Sequence, residues 1–536
     1  YEISECLVGS EMCIRDRVVR KISYYRVIVS LCLFVFLLSP AFGDENSAIS
    51  LDKELSENSI VTIQPDSMRI LHNPLTGWVL YASMGVDAAD FWAQYDHIYI
   101  PELGHNVSVT DYAHTLYIRA SWTDFNPQED VYGWKIDSNL RAYIEGAYQR
   151  NMRLAFRVVV DSRDKRTEFT PQFVKDAGAK GFMNKGKWSP YSDDPVFQKY
   201  YTKFVKALAA DFNNPSRVEF IDGFGLGKWG EYHTMIYSTG DDTPKKAVFD
   251  WVTDIYSQAF DKVPVVINYH RWIGAGKDWV DDEHFAADSE EMLEGAIKKG
   301  YSLRHDAFGM TTYYGSWERR FAKKYRNICP IIMEGGWIVK SHSYWQDPRG
   351  YRKDSHEDVR RGEFDDSKEA HVNMMDFRFG DTKSWFKDAF DLVRRFLREG
   401  GYRLYPSEIS LPLEVFKKTT PTIKHCWNNL GWGYCPTNIP QWNQKYKVAF
   451  ALLDSETNEV RYTFVDTDTD LSKWIKGSPV EYVFEPDMSK VETGTYVWAV
   501  GLVDRSNKDL IGLDIAAKGD ILDSGWLKLS KVSIKK

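Results

Sequence analysis

Between Asn73 and Gly400 the chain alternates short apolar runs with longer amphipathic stretches, and this alternation limits the fold more than any other feature of the sequence. Eight runs read as strands: Thr76–Ala82, Thr115–Trp122, Arg153–Asp161, Val218–Gly225, Val263–His270, Ala307–Tyr314, Cys329–Glu334 and His371–Phe377. The segments between them carry helical periods. In Asp137–Arg150, the residues Leu140, Ile144, Ala147 and Tyr148 recur at the spacing of one helix face, and the Asp137 carboxylate can cap the first turn. Pro195–Phe212, Lys245–Phe260 and Trp385–Arg398 read the same way. Strands that alternate with helices pair in parallel, because each crossover returns the chain to the same end of the sheet. Eight such units predict a closed (β/α)8 TIM barrel, an α/β fold. An open doubly wound sheet is the competing arrangement. It would carry a glycine-rich phosphate turn after its first strand, and none follows Ala82.

After Gly400-Gly401 the helical periods stop. Short alternating runs take over at Lys447–Leu453, Val460–Val465, Val480–Phe484, Thr495–Val503 and Trp526–Val532, separated by turn clusters such as Asp454–Asn458. That pattern predicts an all-β sandwich. The barrel is therefore expected over residues 44–402 and the sandwich over 403–536. Residues 1–17 resemble translated sequencing-adaptor read-through and are set aside as an artefact. Residues 18–43 have the form of a secretory signal: Arg20, Lys21 and Arg26, then the apolar Val27–Leu38, then Ala41-Phe42-Gly43. The apolar run is shorter than the ~20 residues that span a bilayer. A secreted or periplasmic protein is expected, with no stable membrane insertion after cleavage.

A net charge of −8 disfavours a nucleic-acid partner. Beyond the leader only Cys329, Cys426 and Cys435 remain, and the last two could form a local disulfide or stay as thiols. No Cys/His spacing fits zinc, and neither a metal nor a cofactor is expected. The run Asp466-x-Asp468-x-Asp470 lacks the later Gly and Glu of a calcium loop and reads as a solvated turn.

A barrel of this kind carries its chemistry at the C-terminal ends of the strands. After the fourth run stands Gly225-Leu226-Gly227-Lys228-Trp229-Gly230-Glu231-Tyr232-His233, and the seventh ends in Met333-Glu334-Gly335-Gly336-Trp337. In each, one glutamate sits among glycines and tryptophans. Hydrolysis of a glycosidic bond uses two carboxyls: one protonates the leaving oxygen, and the other attacks the anomeric carbon or activates water. Glu231 and Glu334 are therefore the candidate catalytic pair.

Placement of these two residues after strands four and seven resembles clan A glycoside hydrolases such as β-galactosidases. The segment Trp122–Asp137, with its W-x4-P-x4-Y-x-W spacing, is similar to the second-strand loop of that group. More closely, the chain resembles bacterial exported proteins carrying domain of unknown function 4832. The shared features are Asn73-Pro74-Leu75-Thr76-Gly77-Trp78, Trp229-Gly230-Glu231-Tyr232-His233, and Trp427–Gly431 with Gly494-Thr495-Tyr496 near the end. One residue departs from clan A, which places Asn before its acid/base glutamate where this chain has Gly230. The resemblance implies Glu334 as nucleophile and Glu231 as acid/base, acting on a β-linked galactoside or related sugar of a plant or algal polysaccharide.

Charged residues inside apolar strands must point to the barrel mouth. Arg119 and Arg157 are such residues, and the resemblance to clan A implies Glu334 as their partner. The resemblance also implies that Tyr313 or Tyr314 bonds the nucleophile. His233, Tyr269 and His270 are candidates for sugar hydroxyls, and Trp122, Trp229, Trp337 and Trp385 for stacking platforms. Three readings compete: a retaining hydrolase, an inverting hydrolase using the same pair, and a glycan-binding protein on a catalytically silent barrel.

Overall fold

The computed structural model describes residues 58–161, 168–184, 186–276, 283–310, 313–336, 356–378 and 380–536. Eight parallel strands close into a barrel: β1 Gly77–Tyr81, β2 Ala113–Ser121, β3 Arg153–Val159, β4 Val218–Asp222, β5 Val265–Asn268, β6 Tyr301–Phe308, β7 Ile331–Gly335 and β8 Met374–Phe377. They follow chain order around the ring, and β8 closes on β1 with Met374 opposite Gly77. Each overlaps an expected run. The sixth, however, starts at Tyr301 rather than at Ala307. Arg304 and Asp306 break its apolar pattern, and Gly309 and Met310, within the expected run, lie beyond its end.

Side chains alternate along each strand, as the pleat requires. Trp78, Ile118, Phe156, Ile221, Leu303 and Met333 pack outward in the core shared with the helices. Val79, Tyr117, Ala155, Phe220, Val266, Ile332 and Met374 fill the interior. The next inward positions toward the C-terminal ends turn polar: Arg119, Arg157, Asp222, Asn268, Glu334 and Asp376, with Arg304 and Asp306 from β6. An apolar plug thus underlies a charged mouth.

The C-terminal strands form two sheets. One runs Asn58–Thr62, Leu404–Pro412, Ile423–Asn429, Val480–Phe484, all antiparallel. Asn58–Thr62 was expected with the barrel; it is instead an edge strand here, with Ser59 opposite Leu411. The second sheet runs Glu414–Phe416, Leu527–Lys535, Gly494–Asp504, Tyr446–Asp454, Val460–Asp466, and Leu510–Leu513 also pairs with Gly494–Asp504. Ile409, Trp427, Phe450, Trp498 and Val532 lie in one core between them, and that core runs into the barrel interior.

The contact falls at the N-terminal end of the barrel. Asn373, just before β8, donates to the carbonyls of Leu75 and Tyr434 at 3.1 and 2.9 Å. Trp432 Nε1 donates to the Val372 carbonyl at 2.9 Å, and Asn438 Nδ2 to that of Ile328 at 2.7 Å. The β-domain therefore seals the bottom and leaves chemistry to the other end. Cys426 and Cys435 are both free thiols. Asp466 faces His425 Nε2 at 3.0 Å, and Asp470 accepts from the Ser472 amide at 3.1 Å, so this run serves hydrogen bonds of the fold. No helix among the described residues is long and apolar enough to cross a membrane.

Gly225, beyond β4, has φ +79°, and a Cβ there would lie 2.2 Å from the Val158 carbonyl oxygen. Gly225→Ala is expected to cost roughly 2 kcal/mol or more, from left-handed backbone plus overlap with a neighbouring strand. Denaturant unfolding checks this, and an unchanged midpoint would contradict it.

Candidate active site

Glu231 stands on the loop that follows β4. That loop is bent back on itself. Gly225, Gly227 and Gly230 have positive φ, and so do Trp229 at 60°, Tyr232 at 60° and Thr234 at 51°. Left-handed non-glycine residues are strained, and three this close persist only where surrounding bonds hold them. Here the Tyr232 amide donates to the Leu226 carbonyl at 2.9 Å, and the Lys228 amide donates to the His233 carbonyl at 3.1 Å. The Tyr232 hydroxyl donates to the Lys245 carbonyl at 2.9 Å. Burial of Tyr232 as an anchor turns its neighbour Glu231 into the mouth.

Around Glu231, Arg157 Nη1 lies 3.5 Å from Oε1, and His233 Nε2 lies 3.2 Å from Oε2. His270 braces the backbone. Its Nδ1 accepts from the Trp272 amide at 3.1 Å, so its Nε2–H donates to the Glu231 carbonyl at 2.7 Å. Glu334 closes β7 and is buried, with a direct ion pair to Arg304 Nη2. Gly335 follows it because a Cβ there would lie 2.4 Å from Glu363 Oε1.

Two guanidiniums tie these glutamates together. Arg304 Nη2 also reaches Asp376 at 2.9 Å, and its Nε lies 3.3 Å from Asp222 and 3.6 Å from Asp306. Arg157 bonds Asp222 through Nε at 2.6 Å, and Asp306 through Nη1 and Nη2 at 2.6 and 3.1 Å. The ion pairs run unbroken from Glu334 through Arg304, Asp306 and Arg157 to Glu231.

Four carboxyls of this mouth respond differently. Burial, helped by the charge of Asp306, pushes Glu231 above the usual carboxyl range, with His233 and Arg157 opposing. Burial raises Glu334 further, reinforced by Asp306 and resisted by Arg304. Asp376 is pushed up to about 6, again by burial against the pull of Arg304. Asp306 goes the other way: burial disfavours its charge, but Arg157 and Arg304 outweigh it and hold the carboxylate ionised. The site therefore sets carboxyls raised by burial beside one held ionised by two guanidiniums.

Several expected roles change. Arg304, from the strand adjacent to β7, pairs with Glu334, the place expected for Arg119 and Arg157. Arg157 is in the mouth but serves Asp222, Asp306 and Glu231, and Arg119 Nη2 donates to the Trp229 carbonyl at 2.8 Å. Tyr314 and Tyr269 bond each other through their hydroxyls at 3.3 Å, in the core between strands and helices. Tyr269 follows the inward Asn268 by one residue, so the pleat turns it away from the mouth. Tyr313 is half-buried in the turn after β6. Trp122 is fully buried among Phe197, Tyr201 and Phe204, and Trp385 packs on Trp78 and Phe377; neither is open to a sugar ring. Trp229 stays half-buried at the mouth, with Lys228 Nζ 4.2 Å from its ring centre. Trp337 lies outside the described residues. The sequence reading missed Arg304, Asp306, Asp222 and Asp376, although the rule that selected Arg119 and Arg157, charge within a strand, applies to them too. Among the described residues no cluster of His, Cys, Asp and Glu could hold a metal ion.

No family model matches the chain, and no curated protein matches it. Solved structures do. An endo-β-1,4-mannanase from Thermotoga petrophila is 13% identical, with 87% of this chain and 99% of that chain covered at a TM-score of 0.37. Endo-glycoceramidase II from Rhodococcus sp. is 12% identical, with 80% and 99% covered at 0.36. A GH30 endoxylanase from Clostridium papyrosolvens is 8% identical, with 78% and 96% covered at 0.37. Likenesses this distant bear on neither chemistry nor substrate.

Proposed function

We propose that the protein is a secreted, retaining glycoside hydrolase, with Glu334 as nucleophile and Glu231 as general acid and base. The observation that carries this reading is the meeting of the two glutamates, from the β4 loop and the end of β7, in one barrel mouth through the Arg304–Asp306–Arg157 chain of ion pairs. In the first step the Glu334 carboxylate attacks the anomeric carbon while Glu231 gives its proton to the departing oxygen. In the second, Glu231 takes a proton from water, which hydrolyses the glycosyl ester and frees Glu334. A β-galactoside-like substrate from a plant or algal polysaccharide rests on the likeness of the Trp122–Asp137 segment to clan A. His233 and Trp229, beside Glu231, are the candidates for contact with that sugar. Turnover of a panel of aryl β-glycosides, with the product anomer read by NMR, tests the proposal. Retention is expected; inversion would remove Glu334 as nucleophile, and a silent panel would count against hydrolysis.

The raised carboxyls set the pH dependence. Activity needs Glu334 ionised and Glu231 protonated, and because burial raises Glu334 further than Glu231, the active form is a minority protonation state and the kcat/KM profile is a bell bounded by the two coupled groups. Both groups are raised, so both limbs lie above the ordinary carboxyl range. Asp306 supplies part of the rise at both glutamates. Asp306→Asn removes that charge, lowers both glutamate pKa values, and is expected to move the whole bell to lower pH by about one unit. An unmoved bell would separate Asp306 from both glutamates.

A further inference from the structure

Three guanidiniums reach the barrel mouth, and they are not equally served. Arg157 is held by Asp222 and Asp306, and Arg304 by Glu334 and Asp376. Arg119 differs. Its Nη2 donates to the Trp229 carbonyl at 2.8 Å, its buried Nε has no hydrogen-bond partner, and among the described residues no carboxylate forms an ion pair with it.

Arg119 is half-buried, yet burying its Nε–H without a partner is costly, and a neutral donor would suffice to anchor one carbonyl. A planar fork with unused donors is suited to a carboxylate or a sulfate. Its position adds to this: the carbonyl it binds lies two residues before Glu231, on the same loop.

The geometry points to Arg119 as the recognition group for an anionic substituent on the sugar, the carboxylate of a uronic acid or a sulfate ester, bound beside Glu231. This rests on the mouth being a sugar site, and it narrows the substrate to acidic glycans. The ligand anion supplies the counter-ion that the protein withholds, and a neutral sugar leaves the cost unrelieved, which gives discrimination as well as affinity.

Calorimetric titration of the full chain with galactose, glucose, their uronates and their 6-sulfates reads this without turnover. At least one uronate or sulfate is expected to bind about tenfold or more tighter than its neutral parent. Which of the two series binds identifies the anion. Arg119→Gln keeps a donor for the Trp229 carbonyl and should abolish the preference, whereas Arg119→Lys should keep part of it. Equal binding of neutral and anionic sugars, no binding by any anionic sugar, or a preference that survives in Arg119→Gln would each overturn the assignment. Because binding is measured apart from hydrolysis, failure here is distinguishable from inactivity on aryl glycosides.

Discussion

Glu334→Gln is expected to lower kcat on aryl β-glycosides by a factor on the order of 10^4 or more while the fold is retained. The amide is nearly isosteric and cannot supply the attacking oxygen anion. Glu231→Gln should behave differently. With a poor leaving group, loss of the proton donor should cost about 10²–10⁴. With an activated phenol, whose oxygen leaves without protonation, the first step should be largely spared and the glycosyl-enzyme should accumulate. Parallel kinetics on substrates of graded leaving-group pKa, with circular dichroism as the control for folding, read both effects. If the two variants lose activity equally across the series, Glu231 is not the acid; if either turns over near the wild-type rate, its role is refuted.

Arg304→Met is expected to produce the largest loss of stability. The guanidinium is completely buried and faces Glu334, Asp376, Asp222 and Asp306. Removing one partner of a buried ion pair leaves uncompensated charge and costs about 3–5 kcal/mol. The sign of the pH dependence follows from Asp376 and Glu334, whose native pKa values already lie above the ordinary range because of burial. Such a carboxyl favours the native state while protonated, and that contribution fades as pH rises through its native pKa. Without Arg304 those pKa values rise further. The deficit of the variant should therefore be smallest near pH 4, below the native pKa of about 6 at Asp376, and grow toward pH 8. Urea unfolding at several pH values measures it. A deficit that does not change with pH would mean that Arg304 acts through packing alone.

These two sites also show where sequence reading succeeds and where it stops. Seven strands and the change of pattern after Gly401 are visible because apolar burial is local and periodic. Glu231 and Glu334 stand out because glycine-rich strand ends mark close backbone approach. The sixth strand shows the limit. Its Arg304-His305-Asp306 triplet breaks the apolar run because alternate residues face a charged mouth, so the functional positions hide the strand that carries them. The assignment of Glu334 to Arg119 or Arg157 fails for a related reason. Which charge meets which depends on which strands are neighbours, and β6 lies beside β7. Trp122 and Trp385 look like platforms only because composition cannot distinguish a ring packed under helices from one at a rim. Asn58–Thr62 crosses to the far sheet through pairing with Leu404–Pro412, a contact too distant in sequence for any local signal.

The central claim is that Glu334 forms a bond to sugar in the mouth it shares with Glu231. Incubation of the full chain with a panel of 2-deoxy-2-fluoro glycosides bearing an activated leaving group, followed by intact mass measurement and peptide mapping, tests this most directly. The account predicts a single fluoroglycosyl adduct on the peptide containing Glu334, absent from Glu334→Gln. An adduct on Glu231, Asp376 or any other residue, or no adduct from glycosides that the enzyme hydrolyses in their unfluorinated form, would contradict it.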